Sequence, residues 1–190
     1  MNLIRSTRPF AHVVIGLAVT LIGAAPLRAQ SFVEFGGGWN YFALGPDGGK
    51  FANGYNVRAS VGQVAAPHVS VRLDLFTVEF DRKMQLYPPC AYPGCTHPFY
   101  DTQSMGAAGL TANVIWNVDS RGILYAIGGA GFYDLHGAVS ELRPGVSAGA
   151  GIAVPVGVRL RAIVEARWHG LISTTAGPSS IVPITLGFRY

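Results

Sequence analysis

The sequence contains little charge, little sulfur and no long hydrophobic run after its first 29 residues. Only 13% of the 190 residues are charged, about half the roughly 25% usual for a soluble domain. Hydrophobic residues make up 49% of the chain, which excludes a disordered protein. The length fits a single domain and argues against separate cofactor and substrate modules. Three methionines against 25 glycines, ten phenylalanines and eight tyrosines favour β-structure over a helical bundle.

Without its first 29 residues, the chain also has almost no excess of basic side chains. The formal net charge is +4, but Arg5, Arg8 and Arg28 lie in that segment. The remainder has 11 basic residues against 10 acidic ones. We therefore expect no nucleic-acid partner.

The N-terminal segment has the organisation of a secretory signal peptide. Arg5 and Arg8 precede the uncharged run of residues 13–26, and Ala29 supplies a small residue at a cleavage position. The run is too short for a membrane-spanning helix, which needs about 20 apolar residues. The sequence predicts cleavage after Ala29, so that residues 1–29 are the signal peptide and residues 30–190 form one exported domain.

Polar and apolar residues alternate along much of this exported domain. No later stretch reaches about 18 consecutive apolar residues, so helices are not expected to cross a membrane. The alternation predicts β-strands with one apolar and one polar or small face, most clearly in residues 33–41, 55–62, 69–76, 160–169 and 184–190. Residues 103–118, 123–135 and 146–155 are richer in glycine, and the pattern does not define their faces. Together they make eight strands.

The predicted connections alternate in length. Short turns at residues 65–67, 119–122 and 156–157 separate longer loops at 43–53, 83–102, 136–145 and 172–179. An even number of antiparallel strands with short periplasmic turns and longer outer loops is typical of a bacterial outer-membrane barrel. A soluble barrel with an apolar lumen is the alternative, but its surface would need roughly 25–35% charged residues. We therefore predict an all-β, eight-stranded, antiparallel up-and-down transmembrane barrel.

The last strand, Pro183-Ile-Thr-Leu-Gly-Phe-Arg-Tyr190, ends on an aromatic residue behind alternating hydrophobic residues. With the signal peptide and the strand pattern, it resembles the small OmpA/OmpX-like outer-membrane β-barrel domain family. The resemblance implies a location in the bacterial outer membrane, contact with its lipid, and recognition of the terminal strand by the barrel-assembly machinery. No peptidoglycan-binding domain is expected after the barrel, so the resemblance implies no such tether.

Charged residues recur on the faces predicted to point into the lumen. An eight-stranded barrel has room only for its own side chains, and buried charges persist when they are paired and hydrogen-bonded. We expect an ionic network that plugs the lumen, and a narrow solute channel or proton path is the alternative. The predicted members are Glu34, Arg58, Arg72, Asp74, Arg161, Glu165 and Arg167.

No catalytic residue, cofactor or metal site is predicted. His68-Val-Ser70 has the spacing of the lipid A deacylases found among small barrels, which leaves a lipid-modifying enzyme as an alternative function. The predicted topology places this pair on the wrong side of the membrane and facing the lumen. Ser147 lies in a Gly-x-Ser-x-Gly string but lacks the strand, turn and helix that this motif needs.

The longest predicted loop, residues 83–102, contains the only two cysteines, Cys90 and Cys95. In an exported protein these are expected to form a disulfide; a zinc site with His97 is the alternative and lacks a fourth ligand. The loop also carries aromatic residues that could bind a cell-surface ligand or pack on the barrel rim at the level of the lipid headgroups. These candidate contact residues are Tyr87, Tyr92, Phe99 and Tyr100.

Overall fold

The computed structural model describes residues 30–44, 54–86, 99–137, 140–172 and 179–190, and within these ranges the chain forms eight strands. Each strand pairs with the next in antiparallel fashion, and β1 also pairs with β8, so the sheet closes on itself. The predicted eight-stranded antiparallel barrel is therefore confirmed. No helix in the described ranges is long and apolar enough to span a membrane. The strands are β1 (Ser31–Leu44), β2 (Gly54–Ala66), β3 (Val69–Leu86), β4 (Phe99–Asn117), β5 (Leu124–His136), β6 (Glu141–Pro155), β7 (Arg161–Leu171) and β8 (Ser180–Arg189).

Three predicted connections differ from the structure. The two ends of the predicted loop 83–102 are strand, because β3 and β4 stay paired as far as Leu86 and Phe99, and Phe99, Tyr100 and Thr102 are residue types that favour strands. Strand β6 begins at Glu141 rather than at residue 146. Pro144, inside the predicted loop 136–145, lies opposite Phe132 within the β5–β6 ladder. The turn predicted at 156–157 extends over residues 156–160.

Large apolar side chains cover the outside of the barrel. Phe35 and Trp39 on β1 are 65% and 67% exposed, whereas Glu34 on the same strand is 1% exposed. The predicted faces of β1, β2, β3, β7 and β8 agree with this alternation. On β5, whose faces the sequence left open, Leu124 and Phe132 point outward and are exposed.

Polar and aromatic residues mark the two limits of the apolar exterior. One limit is the outward ion pair between Glu79 and His136, 3.0 Å apart, and the other is the exposed Trp116, which lies opposite Val69. Strand β3 runs eleven residues between these limits, from Val69 to Glu79, and a membrane-spanning strand needs about 9–11. The exterior is thus a lipid-facing band of the height that a bilayer core requires.

Candidate functional site

Buried side chains fill the barrel interior in three layers. Toward the long-loop end lies an apolar cluster that includes Phe76, Phe80 and Tyr133. Toward the short-turn end lies a second apolar cluster that includes Phe32 and Tyr125. Charged residues lie between the two clusters. This middle layer is called the ionic network below; it consists of Glu34, Arg58, Arg72, Asp74, Glu165, Arg167 and Arg189.

Arg72 occupies the centre of the ionic network. Its Nη1 lies 2.7 Å from Oε2 of Glu34, its Nε lies 2.7 Å from Oδ1 of Asp74, and its Nη2 lies 2.9 Å from Oε2 of Glu165. One guanidinium therefore joins carboxylates from β1, β3 and β7. Arginine suits this position because its planar fork presents five donors in fixed directions.

Glu165 accepts from more side chains than the other two carboxylates. It forms ion pairs with Arg58 and Arg72 and with Arg167, whose Nη2 is 2.5 Å away. The hydroxyl of Tyr125 donates to its Oε2 at 2.8 Å. Burying a carboxylate without partners costs several kcal/mol, so this saturation is what allows Glu165 to be ionised inside the barrel.

A glycine on β6 gives Tyr125 access to this carboxylate. Gly151 lies opposite Tyr125 in the β5–β6 ladder, and a Cβ at Gly151 would lie 2.4 Å from the tyrosine ring and hydroxyl. Any side chain at this position would displace the ring. Gly151 and Gly145, where a Cβ would meet the ring of Tyr133, therefore make room for large side chains from the neighbouring strand β5.

A set of neutral hydrogen bonds surrounds the ions. Asn113 donates to Oδ2 of Asp74 at 3.0 Å and to the Thr111 hydroxyl at 3.0 Å, and the Ser147 hydroxyl donates to Oδ1 of Asn113 at 3.1 Å. Ser147 is 4% exposed and lies on a strand with no helix after it in the described residues. Its Gly-x-Ser-x-Gly string therefore lacks the context of a hydrolase.

The structure brings together six of the seven residues predicted for the network and places the seventh elsewhere. Arg161 does not join the carboxylates; its Nη1 donates to the carbonyl of Gly122 at 2.9 Å. Arg189 joins the network where Arg161 was predicted to do so, with its Nη2 2.6 Å from Oε1 of Glu34. The alternation of Thr185, Gly187 and Arg189 on the lumenal face of β8 was the signal that could have identified it.

The register explains why Arg189 rather than Arg161 reaches Glu34. Glu34 on β1 is paired directly with Arg189 on β8, and Arg189 is paired in turn with Arg161 on β7. Arg161 is thus one strand farther from the carboxylate. Arg189 also packs over the rings of Phe32 and Tyr125, with its guanidinium carbon 4.6 and 5.5 Å from the ring centroids.

The remaining candidates from the sequence lie at the barrel ends or outside the described residues. Cys90, Cys95, Tyr87, Tyr92 and His97 lie outside them. Phe99 and Tyr100 belong to the first two positions of β4 rather than to a loop.

The His68-Val-Ser70 pair is split between two environments. His68 is exposed in the β2–β3 turn with a φ of 67°, whereas Ser70 is 5% exposed and faces the lumen. No group of three or more His, Cys, Asp or Glu side chains within the described part of the chain could hold a metal ion.

No protein-family model matches the chain, and no curated protein matches it. Among solved structures the barrel is similar to Neisserial surface protein A (NspA), with 13% identity over 85% of this chain and 97% of that chain and a TM-score of 0.57. Ail, the attachment invasion locus protein of Yersinia pestis, shares 14% identity over 85% of this chain and 99% of its own in its complex with the heparin analogue sucrose octasulfate, at a TM-score of 0.47. A major outer membrane protein from Thermus thermophilus shares 11% identity over 85% of this chain and 99% of its own, at a TM-score of 0.46.

At 13% identity the similarity to NspA shows the fold alone. Together with the lipid-facing exterior and the charged interior, that fold defines the class of protein. The chain is a small eight-stranded β-barrel of the bacterial outer membrane, and its exposed apolar side chains contact membrane lipid.

Proposed function

We propose that the protein is a non-enzymatic outer-membrane barrel with a structural or surface-interaction role, its lumen closed by the ionic network. The observation that carries this proposal is the layering of the interior, where two apolar clusters enclose seven paired charged residues. Eight strands enclose a space that side chains fill. A solute would have to displace both clusters and break ion pairs that are shielded from water, so the proposed role belongs to the barrel ends rather than to a pore.

Electrical recording tests the closed lumen. Wild-type protein inserted into a planar lipid bilayer should show no discrete conductance, while a general porin in the same bilayer shows that the assay registers pores. The alternative of a narrow channel would be favoured by discrete wild-type steps that change in the variant Arg167→Ala.

The length of the β3–β4 hairpin supports a role in surface interaction. Seven residue pairs, from Phe80 with Met105 to Leu86 with Phe99, continue the ladder beyond the row of Glu79 and Gly106. At about 3.3 Å per residue they extend the hairpin roughly 23 Å along the strands beyond that row. The segment between Leu86 and Phe99 contains Tyr87, Tyr92, Cys90 and Cys95, so a disulfide-stiffened aromatic segment at the end of the hairpin is the proposed contact surface.

A loop replacement tests this surface. Residues 87–98 are replaced by Asn-Gly, a dipeptide that closes two-residue hairpins, and residues 173–178 are replaced in the same way in a matched control. Heat-modifiable gel mobility verifies that both barrels assemble. Adhesion of expressing cells to immobilised glycans and matrix proteins should fall in the first variant alone. Equal adhesion of wild type and both variants would indicate that the aromatic residues only pack on the barrel rim.

A lipid-modifying enzyme would change the acyl chains of lipid A, whereas the proposed non-enzymatic role predicts no such change. Lipid A from expressing cells should keep its acyl chains, as read by mass spectrometry. An acyl change that disappears in His68→Ala would replace the proposed role with an enzymatic one.

A further inference from the structure

A cup of about 530 Å³ opens at the short-turn end of the barrel. Its walls are the turns around Pro67, Ser120 and Val158 together with the adjoining strand ends, and Phe32 of the lower apolar cluster lies among its lining residues. Arg189, which lines the cup, is also a member of the ionic network, so the inner end of the cup lies next to that network. The charged side chains of the cup are one carboxylate, that of Asp119, and four guanidiniums, those of Arg121, Arg159, Arg161 and Arg189, and the last residue, Tyr190, lies in the lining as well.

Three of these arginines have no carboxylate partner in the part of the chain that the structure describes. Arg189 is paired with Glu34, but no ion pair involves Arg121, Arg159 or Arg161 among the described residues. Arg161 donates one bond, from Nη1 to the carbonyl of Gly122. The carboxylate of Asp119 is engaged by its own turn, since Oδ1 accepts from the amides of Ile123 and Leu124 at 2.8 and 2.9 Å.

The charges of the described residues are divided unequally along the barrel axis. From the ionic network to the short-turn end there are seven arginines and four carboxylates. Beyond the network, the described side chains of strands β3 to β6 include three carboxylates, of Glu79, Asp134 and Glu141, against one guanidinium, of Arg143. The side-chain field at the cup is therefore positive, and a concave site lined by charges of one sign attracts ligands of the opposite charge.

We propose that the cup binds a phosphate-bearing anion through Arg159 and Arg161. The guanidinium fork matches phosphate oxygens in bidentate geometry, and about 530 Å³ is the size of a small-molecule site rather than of a polymer groove. The exposed Trp116, one residue before Asn117 in the lining, sets the cup at the level where lipid headgroups lie. A free phosphate ester and a phospholipid headgroup share the chemistry that the site recognises.

The binding test uses the full barrel in octyl glucoside, a detergent without phosphate. Glycerol 1-phosphate is titrated by calorimetry into wild type, Arg161→Gln, Arg159→Gln and the control Arg82→Gln, which removes the same charge at the opposite end. Wild type should bind with saturation. Each cup variant should lose about tenfold or more in affinity, the value of one charge-assisted hydrogen bond, and Arg82→Gln should bind as wild type does.

Lipid nanodiscs identify the source of the anion. If the headgroup is the ligand, glycerol 1-phosphate binds in detergent but is excluded in phosphatidylglycerol nanodiscs, and Arg161→Gln retains less phosphatidylglycerol after delipidation. If a soluble ester is the ligand, binding persists in nanodiscs. Either result supports the site. Equal loss in Arg82→Gln and Arg161→Gln, or no saturable binding in detergent together with equal lipid retention, would overturn it.

Discussion

Arg72 on β3 and Glu165 on β7 meet across the lumen, with Nη2 of the arginine 2.9 Å from Oε2 of the glutamate, although 93 residues separate them in sequence. Through Glu34 the same arginine reaches β1. The contact therefore ties together strands that are not neighbours in the sheet. Since the ladder hydrogen bonds connect only adjacent strands, the ionic network braces the barrel in a direction that the ladder does not.

Removal of Glu165 should destabilise the barrel strongly. In Glu165→Ala, Arg58, Arg72 and Arg167 lose a shared counter-ion, and the surrounding layers keep water from replacing it. Breaking a buried ion pair from one side costs about 3–5 kcal/mol. We expect a loss of that size in the free energy of unfolding, measured by urea titration in lipid vesicles with heat-modifiable gel mobility as the readout.

Two comparisons separate this effect from a general loss of charge. The double variant Glu165→Ala with Arg167→Ala should lose less than the sum of its single variants, since it removes a positive charge together with the negative one. Glu79→Ala breaks the partly exposed pair with His136 and should cost at most about 1 kcal/mol. A Glu165→Ala barrel as stable as wild type would contradict the bracing role.

The adjacent glycines 128 and 129 on β5 should respond to alanine in opposite ways. A Cβ at Gly129 would lie 2.2 Å from the carbonyl oxygen of Ala112, a backbone atom that cannot move aside, whereas the nearest atom to a Cβ at Gly128 is 3.7 Å away. Gly129→Ala should lower the free energy of unfolding by about 2 kcal/mol or more, within the range of overpacked cores. Gly128→Ala should be neutral or slightly stabilising. Urea unfolding of the pair measures both; a larger loss in Gly128→Ala than in Gly129→Ala would mean that the faces of β5 are exchanged, and equal effects would contradict the crowding at Gly129.

These glycines also show why the sequence alone did not define the faces of β5. Alternation defines a strand's faces when polar and bulky apolar residues take turns, as Arg72 and Asp74 do with Leu73 and Leu75. Glycine and alanine suit both a crowded lumen and a lipid surface, so residues 126–131 give no periodic signal, and only pairing with β4 and β6 fixes their direction.

The candidate site, too, could be predicted from the sequence only in part. The inward direction of each charged side chain follows from the period of two, which identified six network residues. The partner that each charged side chain contacts depends on the strand register and on its position along the barrel axis, and the alternation pattern shows neither. Arg161 and Arg189 share the inward direction and lie opposite each other, yet only Arg189 is adjacent to Glu34.

The cysteine pair should stiffen the outer segment without supporting the barrel. A disulfide between Cys90 and Cys95 closes a loop of only a few residues, which stabilises by roughly 2 kcal/mol or less in the chain-entropy model. Intact-mass measurement with alkylation should find no free thiol in protein from the oxidising cell envelope. Reduction should lower the free energy of unfolding by no more than about 2 kcal/mol and should leave the barrel folded, while increasing proteolysis within residues 87–98. Detection of two free thiols in the native protein would contradict the predicted disulfide.

Asp119 should stabilise the β4–β5 turn in a pH-dependent way. The amides of Leu124 and Ile123 donate to its carboxylate, and these hydrogen bonds hold the pKa of Asp119 below its usual range. A carboxylate whose pKa is lower in the folded than in the unfolded protein contributes stability above the unfolded pKa and loses it as the pH falls through the folded pKa. At pH 7, Asp119→Ala should therefore have a lower urea midpoint than wild type, whereas Ser120→Ala in the same turn should not. The difference between wild type and Asp119→Ala should shrink as the pH is lowered toward about 3, because the wild-type carboxylate becomes protonated. A difference that stays constant over this range would assign the effect of Asp119 to the shape of its side chain rather than to its charge.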